Sequence, residues 1–198
     1  MTDDRRKVID AFLNNEEESR VPVAFWHHFV SFHDHYSGAD EEIYRTVLRE
    51  QKKFADEVKP DLLKIMSDGF FGHPSVCRKT IRTTEDLAEL GPVGAEHPWI
   101  TKQVEYVKEI CDYCGNDVYK YYNIFSPLQY IRLRFEEYDE DFRKFVRLFH
   151  ESPETMVKAA KCIASDTKCL VKRLFEETSV DGIYYSVQCV QDKLMTHE

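Results

Sequence analysis

Four short apolar runs alternate with amphipathic helical stretches in this sequence, and the alternation leaves few folds open to it. The runs are 21–26, 62–66, 118–125 and 180–187. A strand followed by a helix and another strand returns the chain to the same end of the sheet, so neighbouring strands run parallel. The expectation is an α/β fold of four parallel strands in chain order, joined by right-handed crossovers.

The helices between the runs have readable ends. A helix is predicted over 3–14, with Asp3 as cap and Val8, Ile9, Phe12 and Leu13 on one face. Asp40 opens a second, to about 57, with Ile43, Val47 and Phe54 apolar. Thr84 with Glu85 and Asp86 starts a short one that Gly91-Pro92 ends, and Pro98 to about Tyr113 is another, stopped at Gly115. Short amphipathic helices are expected near 128–136 and 139–149. The longest begins with Ser152 as cap and Pro153 at its first position. Its apolar stripe is Met156, Ala160, Ile163, Thr167, Leu170 and Leu174, and it ends near Thr178. There is no internal repeat beyond this alternation.

Charge and composition exclude several classes of partner. The net charge of −9 argues against nucleic acid, which needs clustered lysine and arginine. No apolar stretch is long enough for a membrane helix, and the first residues lack a secretory apolar core. A cytoplasmic location follows, in which the six cysteines are free thiols.

The residues with chemical potential lie where strands end, because in parallel β/α folds reacting groups gather at the C-terminal ends of the strands. Lys64-Ile65-Met66-Ser67-Asp68-Gly69-Phe70-Phe71 reads as a buried strand that delivers the Asp68 carboxylate and then turns. Arg20-Val21-Pro22-Val23-Ala24-Phe25-Trp26-His27-His28 reads as a strand ending in two histidines. Ser126 and Gln129 follow the third strand, and Ser186 and Gln188 the end of the fourth. Tyr121, Tyr122, Tyr184 and Tyr185 alternate along their strands, so one of each pair faces inward. The histidines 27, 28, 33 and 35 could hold a metal directly, but their spacing matches no zinc signature, and no metal site is assigned. Cys111 and Cys114 have CxxC spacing at a helix C-terminus, where nothing lowers a thiol pKa.

Together the segments at 20–28 and 64–71 resemble the uroporphyrinogen decarboxylase superfamily, a TIM-like barrel group that also contains cobalamin-dependent methyltransferases. The resemblance covers nearly all of this chain but only the first half of the family. It implies one domain over 1–198, the N-terminal half of a (β/α)8 barrel, truncated after the fourth strand. It further implies Asp68 and His27 as catalytic residues, with Trp26, His28, Ser126, Ser186 and Gln188 against the substrate. Two departures matter. The decarboxylases' carboxylate-binding arginines fall at His27 and Ser31, and their active-site tyrosine falls at Leu133. The methyltransferase branch is therefore favoured, with a tetrapyrrole-type or methyl-donor-type small molecule as ligand. Zinc, held by a His-x-Cys pair and a distant Cys, and a corrinoid are implied only for a full-length member. The alternative is a non-catalytic half barrel acting as an oligomeric or binding module. Open edges predict association in either case, as a homodimer.

Overall fold

The computed structural model describes residues 5–17, 20–38, 40–77, 80–135 and 141–188. Three strands, β1 (Leu62–Ile65), β2 (Tyr119–Phe125) and β3 (Gly182–Ser186), form a parallel sheet in the order β1-β2-β3. Eight α-helices accompany them among the described residues: α1 (Arg5–Leu13), α2 (Glu41–Val58), α3 (Pro74–Cys77), α4 (Thr84–Ala88), α5 (Pro98–Cys114), α6 (Pro127–Leu133), α7 (Phe142–Glu151) and α8 (Pro153–Glu177). The mixed α/β character and the parallel sheet agree with the alternation in the sequence. No helix among the described residues is long and apolar enough to cross a membrane.

The strand expected at 21–26 does not form. Pro22 has no N–H to offer a ladder. Val23 pairs with Asp61 instead: its carbonyl accepts from the Asp61 N–H at 2.9 Å, while its own N–H donates to the Asp61 carboxylate at 2.8 Å. A side chain thus takes the place of a strand neighbour. Arg20 completes the clamp with two hydrogen bonds of 2.5 Å to the same carboxylate. The segment runs beside the entrance of β1 as extended chain, and the sheet has three strands rather than four.

Period-two alternation gives the sheet two unlike faces. Leu63, Ile65, Lys120, Tyr122 and Ile124 share one face and are fully buried. Tyr122 donates its hydroxyl to Gln103 of α5 at 2.7 Å. The opposite face carries Lys64, Met66, Tyr121, Asn123, Phe125, Tyr184 and Ser186. It is the polar face, and Trp26 and Tyr184 on it are partly exposed. At the N-terminal end of the strands, Arg5 and Arg6 of α1 donate to the Pro60 and Val118 carbonyls, and Arg6 pairs with Asp181 at 2.6 Å.

Helix starts agree with the sequence in most places. Asp40 caps α2, accepting from Glu42 and Ile43. Thr84 starts α4 as expected, and Thr83 before it caps the helix in a capping box with Asp86. Ser152 precedes α8 but makes no capping bond, its hydroxyl going to Thr155. Along α8, Ala159 is buried and Ala160 only half-buried, so the stripe is rotated by one position there. In α1, Val8, Ile9 and Ala11 are buried while Phe12 and Leu13 are exposed. The expected cap Asp3 and Cys189 lie outside the described residues.

Candidate functional site

Two glycines bring the site together. Past β1 the chain continues through buried Met66, Ser67 and Asp68 and reverses at Gly69, whose φ of 89° is left-handed. There the Gly38 N–H donates to the Gly69 carbonyl at 2.7 Å. A Cβ on Gly38 would lie 2.6 Å from that oxygen. Only glycine permits so close an approach. A second bond, from the Phe71 N–H to the His35 carbonyl at 3.0 Å, lays the 3-10 turn Phe32–Tyr36 onto the same loop.

Asp68 sits at the centre, its side chain fully buried. One carboxylate oxygen accepts the Phe29 N–H at 2.7 Å, and the other lies 2.9 Å from His28 Nδ1. His28 is half-exposed. Its ring packs at a tilt against His35 with centroids 4.4 Å apart, and His35 packs likewise against Phe71 at 4.5 Å. His35 is 4 % exposed, and neither ring nitrogen has a hydrogen-bond partner. An unpaired buried polar group costs roughly 1–3 kcal/mol, so two on one ring call for an explanation. Burial pulls the His35 pKa below its usual value; His28 acts in the same sense and Asp68 opposes. One ligand atom each from His28, His35 and Asp68 lie within 4.8 Å of one another.

A lysine faces the same space. The Lys64 ammonium lies 4.6 Å from the Trp26 ring centroid and 3.9 Å from that of Tyr184. Burial pushes its pKa down to about 8, against the opposing pull of Asp68. Across the strand ends, Asn123 donates to the Ser67 hydroxyl at 2.8 Å and accepts from the Ser186 hydroxyl at 3.0 Å. Trp26, His28, Lys64, Asn123 and Ser186 border a cavity of about 190 Å³, closed further by Phe71, Leu133 and Gln188. Another hollow, about 270 Å³, lies between Tyr36, Cys77 and Trp99. It contains no carboxylate.

Of the residues expected from the sequence, Trp26, His28, Ser186 and Gln188 border the cavity with Asp68 beside it. His27 does not join them. Its ring packs edge-on against Phe29 and Phe54, and the neighbour of Asp68 is His28. The resemblance implied the catalytic place for His27, but 21–28 is not a strand and its extended chain brings the next ring, His28, to Asp68. Ser126 caps α6, its hydroxyl accepting from the Gln129 N–H at 3.2 Å. Gln188 accepts from Gln129 at 3.1 Å. His33 is exposed.

Lys64 and Asn123 were missed as site residues, and His35 entered only as one of four histidines that could hold a metal. Lys64 and Asn123 do carry a signal, each being a lone polar residue on the inward phase of an otherwise apolar or aromatic strand. Also unforeseen is a buried pair: His73 Nε2 lies 3.2 Å from Asp166, which accepts N–H bonds from Val93 and Gly94 as well. Burial pushes the Asp166 carboxyl up, but these donors more than offset it and hold it below its usual range.

The thiol-bearing zinc set is implied only for a full-length member and is not expected from this chain's own cysteines. Cys77, Cys111, Cys114, Cys162 and Cys169 are free thiols, and none belongs to the His28–His35–Asp68 group. Burial pushes Cys111 up to about 11 and raises Cys114, so the CxxC thiols stay protonated at neutral pH. No known protein family, curated protein or solved structure matches this chain.

Proposed function

We propose that the chain is half of a (β/α)8 barrel of the uroporphyrinogen decarboxylase superfamily, nearer its corrinoid-dependent methyltransferases than its decarboxylases. The observation that carries this reading is the buried Asp68 carboxylate just past the C-terminal end of β1, paired with His28 beside the polar face of a parallel sheet. Three strands adjacent in chain order support it. In this reading 20–28 takes the place of the first barrel strand. The cavity of about 190 Å³ is small beside the roughly 300–1,000 Å³ of typical ligand pockets. It suits a compact methyl donor better than a tetrapyrrole bearing many carboxylates. Asp68 orients the His28 ring, and His28 carries a proton for the donor or its leaving group. A corrinoid, if bound, would supply the methyl-accepting centre.

The experiment is a binding titration read by Trp26 fluorescence. Methylcobalamin and small methylated thiols or alcohols are added to the purified chain. Saturable quenching is expected, lost in Trp26→Phe and weakened in Asp68→Asn. Absence of saturable binding by any corrinoid would remove the methyltransferase reading.

A second reading rests on β3. Among the described residues it pairs on one side only, with Tyr184, Tyr185 and Val187 exposed along it beside a groove of about 380 Å³. The chain then serves as a non-catalytic half barrel that associates with a second copy of itself.

A further inference from the structure

We propose that His28, His35 and Asp68 form a binding site for one divalent transition-metal ion of the zinc class. The site shares the pocket of the reading above but rests on the three side chains alone, so it stands or falls apart from methyl transfer.

Three observations carry it. First, the ligand atoms already lie within 4.8 Å of one another. Ligands at about 2.1 Å on a tetrahedral ion are about 3.4 Å apart. A modest closing movement suffices, and half-exposed His28 has room to make it. Second, His35 is buried with both ring nitrogens unpartnered beside this group. Buried imidazole nitrogens are normally satisfied, and a metal ion is the partner that a neutral imidazole in an aromatic setting fits. Third, Asp68 is already oriented. The Phe29 N–H holds one carboxylate oxygen at 2.7 Å, the supporting contact that metal-binding carboxylates typically have.

The donor set selects the class of ion. Two imidazoles and one carboxylate suit zinc or ferrous iron with one or more positions left open, whereas magnesium and calcium prefer oxygen ligands throughout. His28 and Asp68 stand beside the cavity, so the open position is available to water or an oxygen-bearing ligand there. The three ligands come from three places on the chain, 28, 35 and 68. Binding therefore ties the 20–28 segment and the 3-10 turn to the loop after β1.

The test uses the metal-stripped chain titrated with Zn2+ by calorimetry and with Co2+ by visible absorption. One ion per chain is expected, with cobalt bands of nitrogen and oxygen ligation and no thiolate charge-transfer band. Zn2+ should also raise the melting temperature. His35→Phe preserves an aromatic ring against Phe71 and removes both nitrogens, while Asp68→Asn keeps an acceptor for Phe29. Each should weaken binding by about tenfold or more, and His33→Gln should leave it unchanged. If His35→Phe does not fold, Asp68→Asn and the wild-type cobalt spectrum decide. The proposal is overturned by folded wild type that binds no ion saturably, by affinity indifferent to His35→Phe, by a thiolate band, or by Mg2+ competing at equal concentration. Metal binding without corrinoid binding would leave this site standing and remove the methyltransferase reading; the converse result would do the reverse.

Discussion

Lys64 is the charged group most altered by its surroundings in the cavity. On a buried strand it loses hydration, and its ammonium lies over the Trp26 and Tyr184 rings. Its pKa falls from 10.5 to about 8. The folded protein therefore releases this proton at lower pH than the unfolded chain does. Below about 8 the destabilisation is fully present, and stability rises as pH goes from about 8 toward 10.5. Lys64→Met should then raise stability at pH 7 by about 1–2 kcal/mol, part of the desolvation cost being offset by the cation–π contacts. The gain should shrink across that window, as read by denaturant unfolding at several pH values. A gain that is constant from pH 7 to 10.5 would show that Lys64 is not the titrating group. A second expectation at this scale concerns substrate. In the reading proposed above, the positions of the decarboxylase arginines carry His27 and Ser31, and that of their tyrosine Leu133, which lines the cavity. Each missing charged hydrogen bond is worth roughly 1.5–3 kcal/mol. Purified protein should show no decarboxylation of uroporphyrinogen above a heat-denatured control.

At the scale of elements, the site depends on two loop attachments rather than on a fourth strand. Asp61 holds 20–23 through Arg20 and the Val23 amide. The Arg20 hydrogen bonds keep the Asp61 carboxyl below its usual range, helped by Val23 and opposed by burial. Its stabilising effect is complete above about pH 4, the unfolded value, and is lost as pH falls through the lower folded value. Asp61→Ala should cost about 1–3 kcal/mol at pH 7 and release His28 from Asp68, visible as a change in the His28 ring shifts in NMR. The second attachment is the Gly38–Gly69 crossing. Gly38→Ala forces a Cβ to within 2.6 Å of a carbonyl oxygen and should cost about 1–3 kcal/mol, with His35 displaced. A melting curve unchanged by that substitution would mean the two loops do not meet as described. The β/α alternation, the three strands, α2, α5 and α8 could all be read from the sequence, because each has strong periodicity or clear end signals. So could Asp68, which a strand end places. The run at 21–26 has strand-like composition, but Pro22 and the Asp61 carboxylate divert it, and no local pattern reveals a partner about 40 residues away. His35 was obscured for a similar reason: what puts it beside Asp68 is a backbone contact between two glycines 31 positions apart.

For the whole molecule, two groups of exposed apolar residues lie along the flanks of the sheet. Val21, Val23 and Phe25 are exposed beside β1, and Tyr184, Tyr185 and Val187 along β3. A two-fold axis could set the first group of one copy against the second group of the other, closing both flanks at once. Light scattering on a size-exclusion column should give twice the 23.4 kDa chain mass at micromolar concentration, and a sharp monomer peak would show that the flanks need no second copy. The hydroxyl–amide chain Ser67–Asn123–Ser186 bears on how such an assembly could be built without disturbing the cavity. Asn123 uses both ends of its amide, one toward each outer strand, so shifting β2 by a single residue would disconnect both serines together and turn the amide to the opposite face. The three strand ends are keyed to one another like the pins of a lock. A partner that joins β3 from outside would meet a sheet whose alignment is already decided, and could extend it without resetting the mouth of the pocket.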